Sequence, residues 1–418
     1  MSVALAPTGA PRDGAVRRRL DLATAALPPV ARPDASLTVL DTTEWFAPTS
    51  GGIRTYLLRK GAYVAARPWL RHALVVPGPA DGIVDAEGVR TYEVGGRPIP
   101  NNPPYRFLTS VERMRRVLRH ERPDVIELGS PFIVPWVLFR ALRGQDVPVV
   151  NFFHSHFPQL LGGSREPRPW HRRTLMEAAW WYARRMDRRI AATIAASRWV
   201  ADALEAAGIP DVVRIPLGVD LVHFSPARRA QAPATRAAFG LPVERPLVLF
   251  VGRFAHEKEL DVLMDAWPIV ERRTDAALVM AGEGPQGEAL RARVRGTRVH
   301  WLPFIGDPTV LADLHAAADV YASTSPHETF GLSPLEAMAS GTPIVAADRG
   351  AAREHVLESG AGRVFVPGDA GSLADALIAL LEADRATESA RARAFAEREH
   401  GWETVFDRIV ALYERVRR

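Results

Sequence analysis

Short runs of β-branched and aromatic residues alternate with helical stretches along almost the whole chain. Such alternation is typical of parallel β-sheets whose strands are joined by helices on both faces. A chain of 418 residues also exceeds what one hydrophobic core usually holds. The pattern therefore predicts an α/β protein with two doubly wound parallel sheets. The predicted strands lie at 36–41, 73–77, 124–128, 148–153, 191–196 and 212–216 in the first half, and at 246–252, 276–282, 299–303, 319–323, 342–347 and 362–366 in the second.

Composition places the domain boundaries. Residues 1–35 are rich in Ala, Pro and Arg and are expected to form a mobile tail. The first domain is predicted at 36–222 and the second at 223–398, and the charged, Pro-containing stretch 225–245 contains the best linker candidate. The last segment, 399–418, is expected to form a helix that packs back toward the first domain.

The bulk composition limits the chemistry and the location. The chain has no cysteine, which excludes disulfides, thiolate zinc sites and thiol catalysis. No run of 18 or more uncharged apolar residues occurs, and none resembles a secretory leader, so a cytoplasmic location, with the inner face of the membrane as an option, is expected. The net charge of +5 calls for an acidic partner, which phosphate, anionic lipid or nucleic acid would satisfy.

Part of that charge is concentrated between Arg165 and Arg189, where eight arginines stand against three acids. Trp170, Trp180 and Trp181 are interleaved with them. A basic helix with tryptophans suits an anionic membrane surface. The alternative is a helix whose tryptophans pack in the core while its arginines face water. Nucleic acid is not expected as a partner, because no recognition module is visible.

The segment 326–341, PHETFGLSPLEAMASG, contains a loop that opens a helix. Ser333 is a suitable N-cap, and Gly341 is a suitable C-terminal stop. The loop 329–332 therefore precedes a helix N-terminus, where free N–H groups and the helix dipole favour an anion. Gly331 allows a phosphate to approach the backbone closely.

Two glutamates, Glu328 and Glu336, flank this loop eight residues apart. Carboxylates beside an anion site repel phosphate, so functional ones should face hydroxyls, such as a ribose diol and a hexose. Each also has a structural alternative. Glu336 stands three residues after Ser333 and fits a capping box, whereas Glu328 fits an ordinary solvated surface position.

Other glycines and cations follow predicted strands at the same edges of the two sheets. Gly51 and Gly52 follow the first strand and open a helix, where they suit a diphosphate or sugar, or simply a tight turn. Arg253 and Lys258 stand beside the start of a helix predicted at 258–272, which the dipole disfavours unless a polyanion binds there. Because ligands bind at the carboxyl ends of parallel strands, the active site is predicted in a cleft between the domains.

Several alternative chemistries lose support. A GxGxxG string at 282–287 follows the second strand of its sheet instead of the first, and neither a P-loop nor a Gly-x-Ser-x-Gly elbow occurs. His154 and His156 end a predicted strand. Three readings stay open for them: a metal site, for which no nearby acid completes the ligand set, a structural role, and contact with the reacting group.

Taken together, these motifs resemble the retaining glycosyltransferases of family 4, which have the GT-B fold of two doubly wound Rossmann-like domains facing each other across a cleft. The resemblance covers nearly all of the chain from about residue 36. The matching motifs are SGGIRTYL, HSHFP, IPLGVDLVHFSP, VGRFAHEKELDVLMDAW, AGEGP and HETFGLSPLEAMASGTPIVA.

The resemblance implies a role for each candidate residue. Glu336 would bind the donor ribose diol, and Glu328 would contact the transferred sugar. His154 would touch that sugar near the reacting carbon, and Arg253 with Lys258 would hold the diphosphate. The remaining implied donor contacts are Gly51, Gly52 and the loop residues Phe330, Gly331 and Leu332.

The reaction implied by the resemblance is transfer of a hexose from a nucleoside diphosphate sugar, UDP-glucose or GDP-mannose, to a hydroxyl of a sugar, glycan or lipid. It would proceed with retention of configuration and with neither metal nor cofactor. Alternatives are an epimerase or hydrolase of the same fold and a non-catalytic sugar-nucleotide-binding protein. Two departures bear on the donor site: Glu259 replaces the glycine of Glu-Lys-Gly, and Gly350-Ala351 replaces a glycine pair.

Overall fold

The structure is a computed structural model that describes residues 16–47, 51–86, 89–100, 102, 104–162 and 169–418. Within these residues the chain forms two α/β domains, each built on a mainly parallel β-sheet with helices against it. The predicted class, with two parallel-sheet domains, is confirmed. No helix in the part of the chain that the structure describes is long and apolar enough to cross a bilayer.

The first domain contains a sheet of nine strands. These are β1 (Val16–Arg19), β2 (Leu37–Thr42), β3 (Leu70–Gly78), β4 (Gly82–Ala86), β5 (Val89–Gly95), β6 (Val125–Leu128), β7 (Val149–Phe152), β8 (Ala192–Ala195) and β9 (Val212–Arg214). Its helices are α1 (Gly52–Ala65), α2 (Val111–Glu121), α3 (Val134–Ala141), α4 (Phe157–Gly162), α5 (Pro169–Asp187) and α6 (Arg198–Ala206).

The strand order of this sheet is β1-β4-β5-β3-β2-β6-β7-β8-β9. β4 runs antiparallel to β1 and β5, and the other neighbours are parallel. From β2 the chain winds outward in one direction to β3 and β5, and then in the other direction from β6 onward. Such a reversal between β2 and β6 is a topological switch point, where ligands of open α/β sheets bind.

The second domain has six strands, all parallel to their neighbours. They are β10 (Leu247–Val251), β11 (Ala277–Ala281), β12 (Val299–Leu302), β13 (Val320–Ser323), β14 (Ile344–Ala347) and β15 (Gly362–Phe365), in the order β12-β11-β10-β13-β14-β15. Its switch point lies between β10 and β13. The helices that follow α6 are α7 (Ala232–Ala238), α8 (Leu260–Arg273), α9 (Gly287–Arg293), α10 (Pro308–Ala317), α11 (Leu332–Ala339), α12 (Ala351–Ser359), α13 (Ala370–Leu381), α14 (Arg385–Glu399) and α15 (Trp402–Val416).

The central strands are buried over their whole length, as β2, β6, β11 and β14 illustrate. Strands covered by helices on both faces read as continuous apolar runs, which is why the sequence pattern found them. Short polar side chains begin many of the helices. The Ser197, Asp307 and Asp369 side chains accept N–H bonds at the starts of α6, α10 and α13, which stabilises those ends.

The predicted tail is wrong for residues 16–35. β1 pairs with β4 at the edge of the first sheet, and Leu22 is completely buried. The Arg32 guanidinium donates to the carbonyls of Val64 and Leu70 at 2.9 and 3.1 Å. The Ala, Pro and Arg composition gave no sign of this packing, because its partners, such as Val64 and Leu70, lie more than 30 residues away in the chain. Residues 1–15 lie outside the described residues.

The charged stretch 225–245 is folded onto the second domain. A 3₁₀ turn over Pro226–Gln231 leads into α7. The guanidinium groups of Arg229 and Arg236 contact the Asp319 carboxylate at 2.7 and 2.9 Å. The charged side chains of this stretch therefore hold it against the second domain, so it is a packed part of that domain.

The end of the chain returns to the first domain, because α15 packs on α1. The Tyr63 hydroxyl of α1 donates to the Asp407 carboxylate at 2.5 Å, and the Arg417 guanidinium donates to the Ser36 carbonyl at 2.7 Å. The two domains are thus joined by the segment before α7 and again by the segment before α15.

Candidate functional site

The loop after β13 opens α11 two residues earlier than the sequence suggests. Gly331, with φ +86°, occupies the N-cap position, and the helix starts at Leu332 without a side-chain cap. The prediction that Ser333 caps the helix is therefore wrong. Gly341 has φ +76° and follows the last turn, as expected, while the Thr342 N–H donates to the Ala337 carbonyl at 2.8 Å.

This change of start decides between the two readings of Glu336. A capping box needs the carboxylate three residues after the N-cap, and Glu336 stands five residues after Gly331. Its side chain is 17% exposed, with Oε2 3.8 Å from His315 Nε2. Burial raises the pKa of Glu336 to about 8, although the nearby Arg59 lowers it. The structure thus leaves this desolvated carboxyl group available to a ligand hydroxyl.

Glu328 and Lys258 meet where β10 and β13 adjoin. Lys258 ends a 3₁₀ turn over His256–Lys258, and its ammonium group forms a close ion pair with the Glu328 carboxylate. Burial lowers the pKa of Lys258, but the contact with Glu328 outweighs it and the net shift is upward. Arg253, between the same β10 and Lys258, has an exposed side chain. Two of the predicted site residues are therefore in direct contact.

Hydroxyl groups of the loop after β13 fix the backbone around Lys258. Thr324 Oγ1 donates to the Lys258 carbonyl at 2.6 Å, and Ser325 Oγ donates to the Glu257 carbonyl at 2.7 Å. Glu259 has φ +46° and ψ +41°, a left-handed conformation that costs a non-glycine residue about 1 kcal/mol. Glu259, which replaces the glycine of the family's Glu-Lys-Gly, thus adopts a conformation that glycine would adopt without this cost.

Gly350, the glycine kept before α12, supports Glu328 directly. It has φ +81° and ψ −178°, a region that almost only glycine occupies. A Cβ atom there would lie 3.0 Å from the Pro326 carbonyl oxygen and 3.3 Å from the Glu328 nitrogen. The Ala351 N–H donates to the Glu328 carbonyl at 2.9 Å.

We therefore expect Gly350→Ala to lower the free energy of unfolding by roughly 1–3 kcal/mol and to displace Glu328, weakening nucleotide binding. Gly360→Ala at the other end of α12 is the control: φ is +63°, and nothing lies within 4 Å of the added Cβ atom. It should cost about 1 kcal/mol and leave binding intact. Urea unfolding and titration with nucleotide measure both, and equal nucleotide affinities would contradict the role of Gly350.

The two histidines after β7 have different surroundings. The His154 ring stacks on Phe152, with centroids 4.0 Å apart and planes at 5°, and burial lowers its pKa to about 3. The His156 ring packs against Trp180 and Trp199 at 5.4 and 4.9 Å. Among the described residues, no three acidic or histidine side chains are grouped to hold a metal ion. His154 is therefore a neutral imidazole beside the cleft, and His156 is a core residue.

Of the two glycines at the start of α1, Gly52 approaches α11 across the cleft. Gly51 is the N-cap of α1, with no side-chain cap. A Cβ atom on Gly52 would lie 2.9 Å from Leu332 Cδ1, whereas one on Gly51 would meet nothing within 4 Å. The N-termini of α1 and α11 therefore face each other, which provides two sets of free N–H groups at one place.

Two hydrogen-bonded contacts join the domains, and no local pattern in the sequence predicts either of them. Thr329 Oγ1 donates to the His154 carbonyl at 2.8 Å. The Glu354 carboxylate of α12 accepts from the Arg198 and Trp199 N–H groups at 2.9 and 2.6 Å, at the start of α6. A lone threonine or glutamate gives no local signal of a partner more than 150 residues away.

Family models match most of the chain. A model described as Glycosyltransferase Family 4 matches residues 50–223, and one described as Glycosyl transferases group 1 matches residues 245–383.

Curated relatives match at similar levels. A phosphatidyl-myo-inositol mannosyltransferase from Mycobacterium leprae is 32% identical over 88% of this chain and 93% of its own. A GDP-mannose-dependent alpha-mannosyltransferase from Mycolicibacterium smegmatis is 33% identical over 81% of this chain and 85% of its own. A GDP-mannose-dependent alpha-(1-6)-phosphatidylinositol dimannoside mannosyltransferase from Mycobacterium tuberculosis is 31% identical over 81% and 84%.

Solved structures support the fold. A sucrose-phosphate synthase from Thermosynechococcus elongatus superimposes with a TM-score of 0.74 at 23% identity, over 91% of this chain and 99% of the other. An Anabaena protein solved with UDP and glucose gives 0.68 at 20% identity, over 91% and 100%. These two are less similar in sequence than the curated relatives and show the GT-B fold alone. By its sequence matches and its fold, the chain belongs to glycosyltransferase family 4.

Proposed function

We propose that this protein transfers mannose from GDP-mannose, with retention of configuration, to a hydroxyl group of an inositol phospholipid or of a glycan that such a lipid carries. The curated relatives named above support mannose, GDP and the lipid. The observation that carries the transfer reaction is the Lys258–Glu328 ion pair beside the N-terminus of α11. The pair places a cation, which suits the phosphate groups of a nucleotide sugar, beside a carboxylate, which accepts hydrogen bonds from its hydroxyl groups.

The nucleotide would lie along the carboxyl edge of the second sheet. Glu336, which the structure keeps out of a capping box, would accept hydrogen bonds from the ribose diol. The backbone N–H groups of Phe330, Gly331 and Leu332 would contact the phosphate at the start of α11. Gly51 and Gly52 would allow the diphosphate or the sugar to approach α1 from the opposite side.

Binding of the donor would change the partner of Lys258. In the structure its ammonium group is paired with Glu328, and a diphosphate would offer it greater negative charge. Transfer of Lys258 to the phosphate would release the Glu328 carboxylate to accept hydrogen bonds from the sugar. The ion pair thus keeps both groups in place before the donor arrives, which is the preorganisation that favours fast reaction.

In the proposed step, the acceptor oxygen attacks the anomeric carbon from the same face as that from which the leaving group departs. The bond between the anomeric carbon and the β-phosphate oxygen breaks, its electron pair remains on GDP, and the acceptor proton passes to that phosphate oxygen. Arg253 and Lys258 would stabilise the developing charge, so no metal ion is required. His154 is uncharged at neutral pH, so it would contact the sugar as a neutral imidazole.

Thermal stability with GDP, UDP and ADP tests the proposed donor. A nucleotide at 100 times its dissociation constant adds about 2.7 kcal/mol to the native state. We expect GDP to raise the melting temperature, equally with and without EDTA, and UDP and ADP to raise it little. Stabilisation by UDP alone would contradict GDP-mannose as donor, and stabilisation that EDTA removes would contradict metal independence.

The acceptor side of the proposal concerns α5. Trp180 and Tyr182 pack inward, with the Tyr182 hydroxyl 2.6 Å from the Pro131 carbonyl. Trp181 and Leu175 are 60% and 48% exposed. The predicted basic segment thus combines both readings, since some of its aromatic rings pack in the core and others face outward. Its residues 165–168 lie outside the described residues.

The surface of α5 is the proposed contact with an anionic membrane. Arg185 is exposed on this helix and Arg188 directly after its end, and the helix also presents Trp181. Cations beside an exposed tryptophan favour an anionic lipid interface. The arginines of α2 are less suitable. Arg115 and Arg116 donate to carbonyls of Arg140 and Leu22 at 3.0 and 3.1 Å, so they stabilise the fold.

We expect Trp181→Ala with Arg185→Gln to reduce co-sedimentation with vesicles containing phosphatidylinositol by at least tenfold, since each basic residue near such a surface contributes about 1 kcal/mol. Trp69→Ala is the control, because Trp69 is 41% exposed at the start of β3. Its binding should equal that of the wild type. Unchanged binding of the α5 variant at low salt would contradict a lipid contact through this surface.

A further inference from the structure

A buried polar cluster lies beneath His154 in the first domain. It consists of Asp41 on β2, His72 on β3, which contacts Asp41 closely, Glu127 on β6, Lys60 and Tyr56 on α1, and Tyr413 on α15, and each of these residues is at most 3% exposed. Asp41 and Glu127 are direct neighbours in the parallel register of β2 and β6. The cluster therefore lies at the switch point of the first sheet, and its last member comes from the final helix of the chain.

Lys60 joins the two carboxylates to α15. Its ammonium group lies 2.7 Å from Asp41 Oδ1 and 3.2 Å from Glu127 Oε2, and it donates to the Tyr413 hydroxyl at 2.6 Å. The Tyr413 hydroxyl in turn contacts Glu127 Oε2 closely. Buried charges persist only when they are paired and hydrogen-bonded, and here one hydroxyl from α15 completes the set.

Tyr56 connects the cluster to His154 at the cleft. Its hydroxyl donates to Glu127 Oε2 at 2.9 Å, so the same oxygen holds Tyr56 and Tyr413. The Tyr56 ring packs edge-on against His154, with centroids 5.3 Å apart, and against Phe152, on which His154 stacks.

The first turns of α15 also enclose the Tyr56 ring. The Phe406 ring lies 5.6 Å and the Trp402 ring 6.4 Å from it, and these two rings stack on each other at 5.3 Å. Tyr56 is thus held at its hydroxyl by Glu127 and over its ring by α15. His154 has the second domain on its other side, through the Thr329 contact with its carbonyl.

We infer that Tyr413 is a positioning residue for the transfer step: through Glu127 and Tyr56 it sets the orientation of the His154 ring. The effect on turnover rests on the proposed contact of His154 with the donor sugar, whereas the effect on the ring itself does not. Nucleotide binding, which depends on the second domain, should be little affected. The final helix then contributes to catalysis from below the site, without touching the substrate.

Tyr413→Phe tests the inference, since it keeps the ring and removes the hydroxyl. Tyr63→Phe is the matched control: its hydroxyl also joins α1 to α15, through Asp407, but it does not reach Lys60 or Glu127. We expect Tyr413→Phe to lower kcat on the order of tenfold or more, because small displacements of catalytic groups have effects of this size. KM for the donor and the dissociation constant of GDP should stay within about twofold of wild type, because the nucleotide contacts lie in the second domain. Tyr63→Phe should match the wild type in all three quantities.

The His154 imidazole resonances, assigned with His154→Gln in histidine-labelled protein, give a readout independent of the reaction. We expect them to shift in Tyr413→Phe and not in Tyr63→Phe. Tyr56→Phe should give the same shift, and it serves as the test if Tyr413→Phe does not fold. Unshifted resonances, or equal losses of kcat in Tyr413→Phe and Tyr63→Phe, would overturn the inference. A shift without any mannosyl transfer by the wild type would uphold it and count against the proposed function alone.

Discussion

Replacing Lys258 or Arg253 by alanine is expected to lower kcat by about 10²- to 10³-fold, the usual loss when one group that stabilises transition-state charge is removed. Both cations follow β10, and Lys258 is held by Glu328 and by the loop after β13. In the proposed reaction the leaving GDP would develop its charge at this edge of the sheet. Steady-state kinetics with GDP-mannose measures the effect, and most of it should appear in kcat.

The Lys258 variant should be the more damaging of the two. Without the ammonium group, the Glu328 carboxylate would stand unneutralised beside the leaving diphosphate, and like charges at this distance repel strongly. Adding Glu328→Gln to Lys258→Ala should therefore recover part of the lost binding of GDP. Arg272→Ala, an exposed arginine near the end of α8, is the control and should be fully active. Wild-type turnover in both Lys258→Ala and Arg253→Ala would remove these cations from the mechanism.

Glu336→Gln is expected to weaken GDP binding and to abolish its dependence on pH above 7. The pKa of Glu336 is raised to about 8 by burial, so the ligand-free protein is mostly protonated there at neutral pH. Ribose hydroxyls donate to the ionised form. Affinity should accordingly rise about tenfold between pH 7 and 9 in the wild type, since one pKa unit corresponds to 1.36 kcal/mol. In Glu336→Gln it should stay flat.

The same group has an opposite effect on the stability of the ligand-free fold. A carboxyl group whose pKa is raised on folding contributes its full stability at a pH below its pKa in the unfolded chain. That contribution is lost as the pH rises through its pKa in the folded protein, which is about 8 for Glu336. Glu336→Gln should therefore unfold at a higher temperature than the wild type at pH 9 and similarly at pH 4. Calorimetry without ligand measures this. A variant less stable at pH 9 would show that the carboxylate is structural.

Much of the fold could be predicted because buried parallel strands are continuous apolar runs. Every strand expected from such a run is present within a few residues. β1, β4 and β5 were missed. β5 alternates buried and half-buried residues, and β1 is an arginine-rich edge strand. In β5 the alternation puts Arg90 on the buried face, which breaks the apolar pattern of that face, and β1 is stabilised by its pairing with β4, which no local pattern shows.

The site could be predicted only as far as residue type and spacing reach. Spacing located the loop that opens α11, but it favoured Ser333 as N-cap, whereas the helix begins after Gly331, whose backbone is left-handed. The Lys258–Glu328 ion pair, the Thr329 contact with His154 and the cap that Glu354 provides for α6 join residues 70 or more positions apart. Such contacts depend on the relative placement of whole strands and helices, which a local motif does not encode.

Product analysis tests the central proposal most directly. The protein is incubated with GDP-mannose or UDP-glucose, with and without phosphatidylinositol vesicles, and the released nucleotide and the anomeric configuration of the product are determined by NMR. We expect GDP release that depends on the acceptor and an α-mannoside as product. A β-mannoside would contradict retention. Donor breakdown without acceptor would indicate a hydrolase or epimerase, and glucose transfer from UDP-glucose alone would contradict the proposed donor.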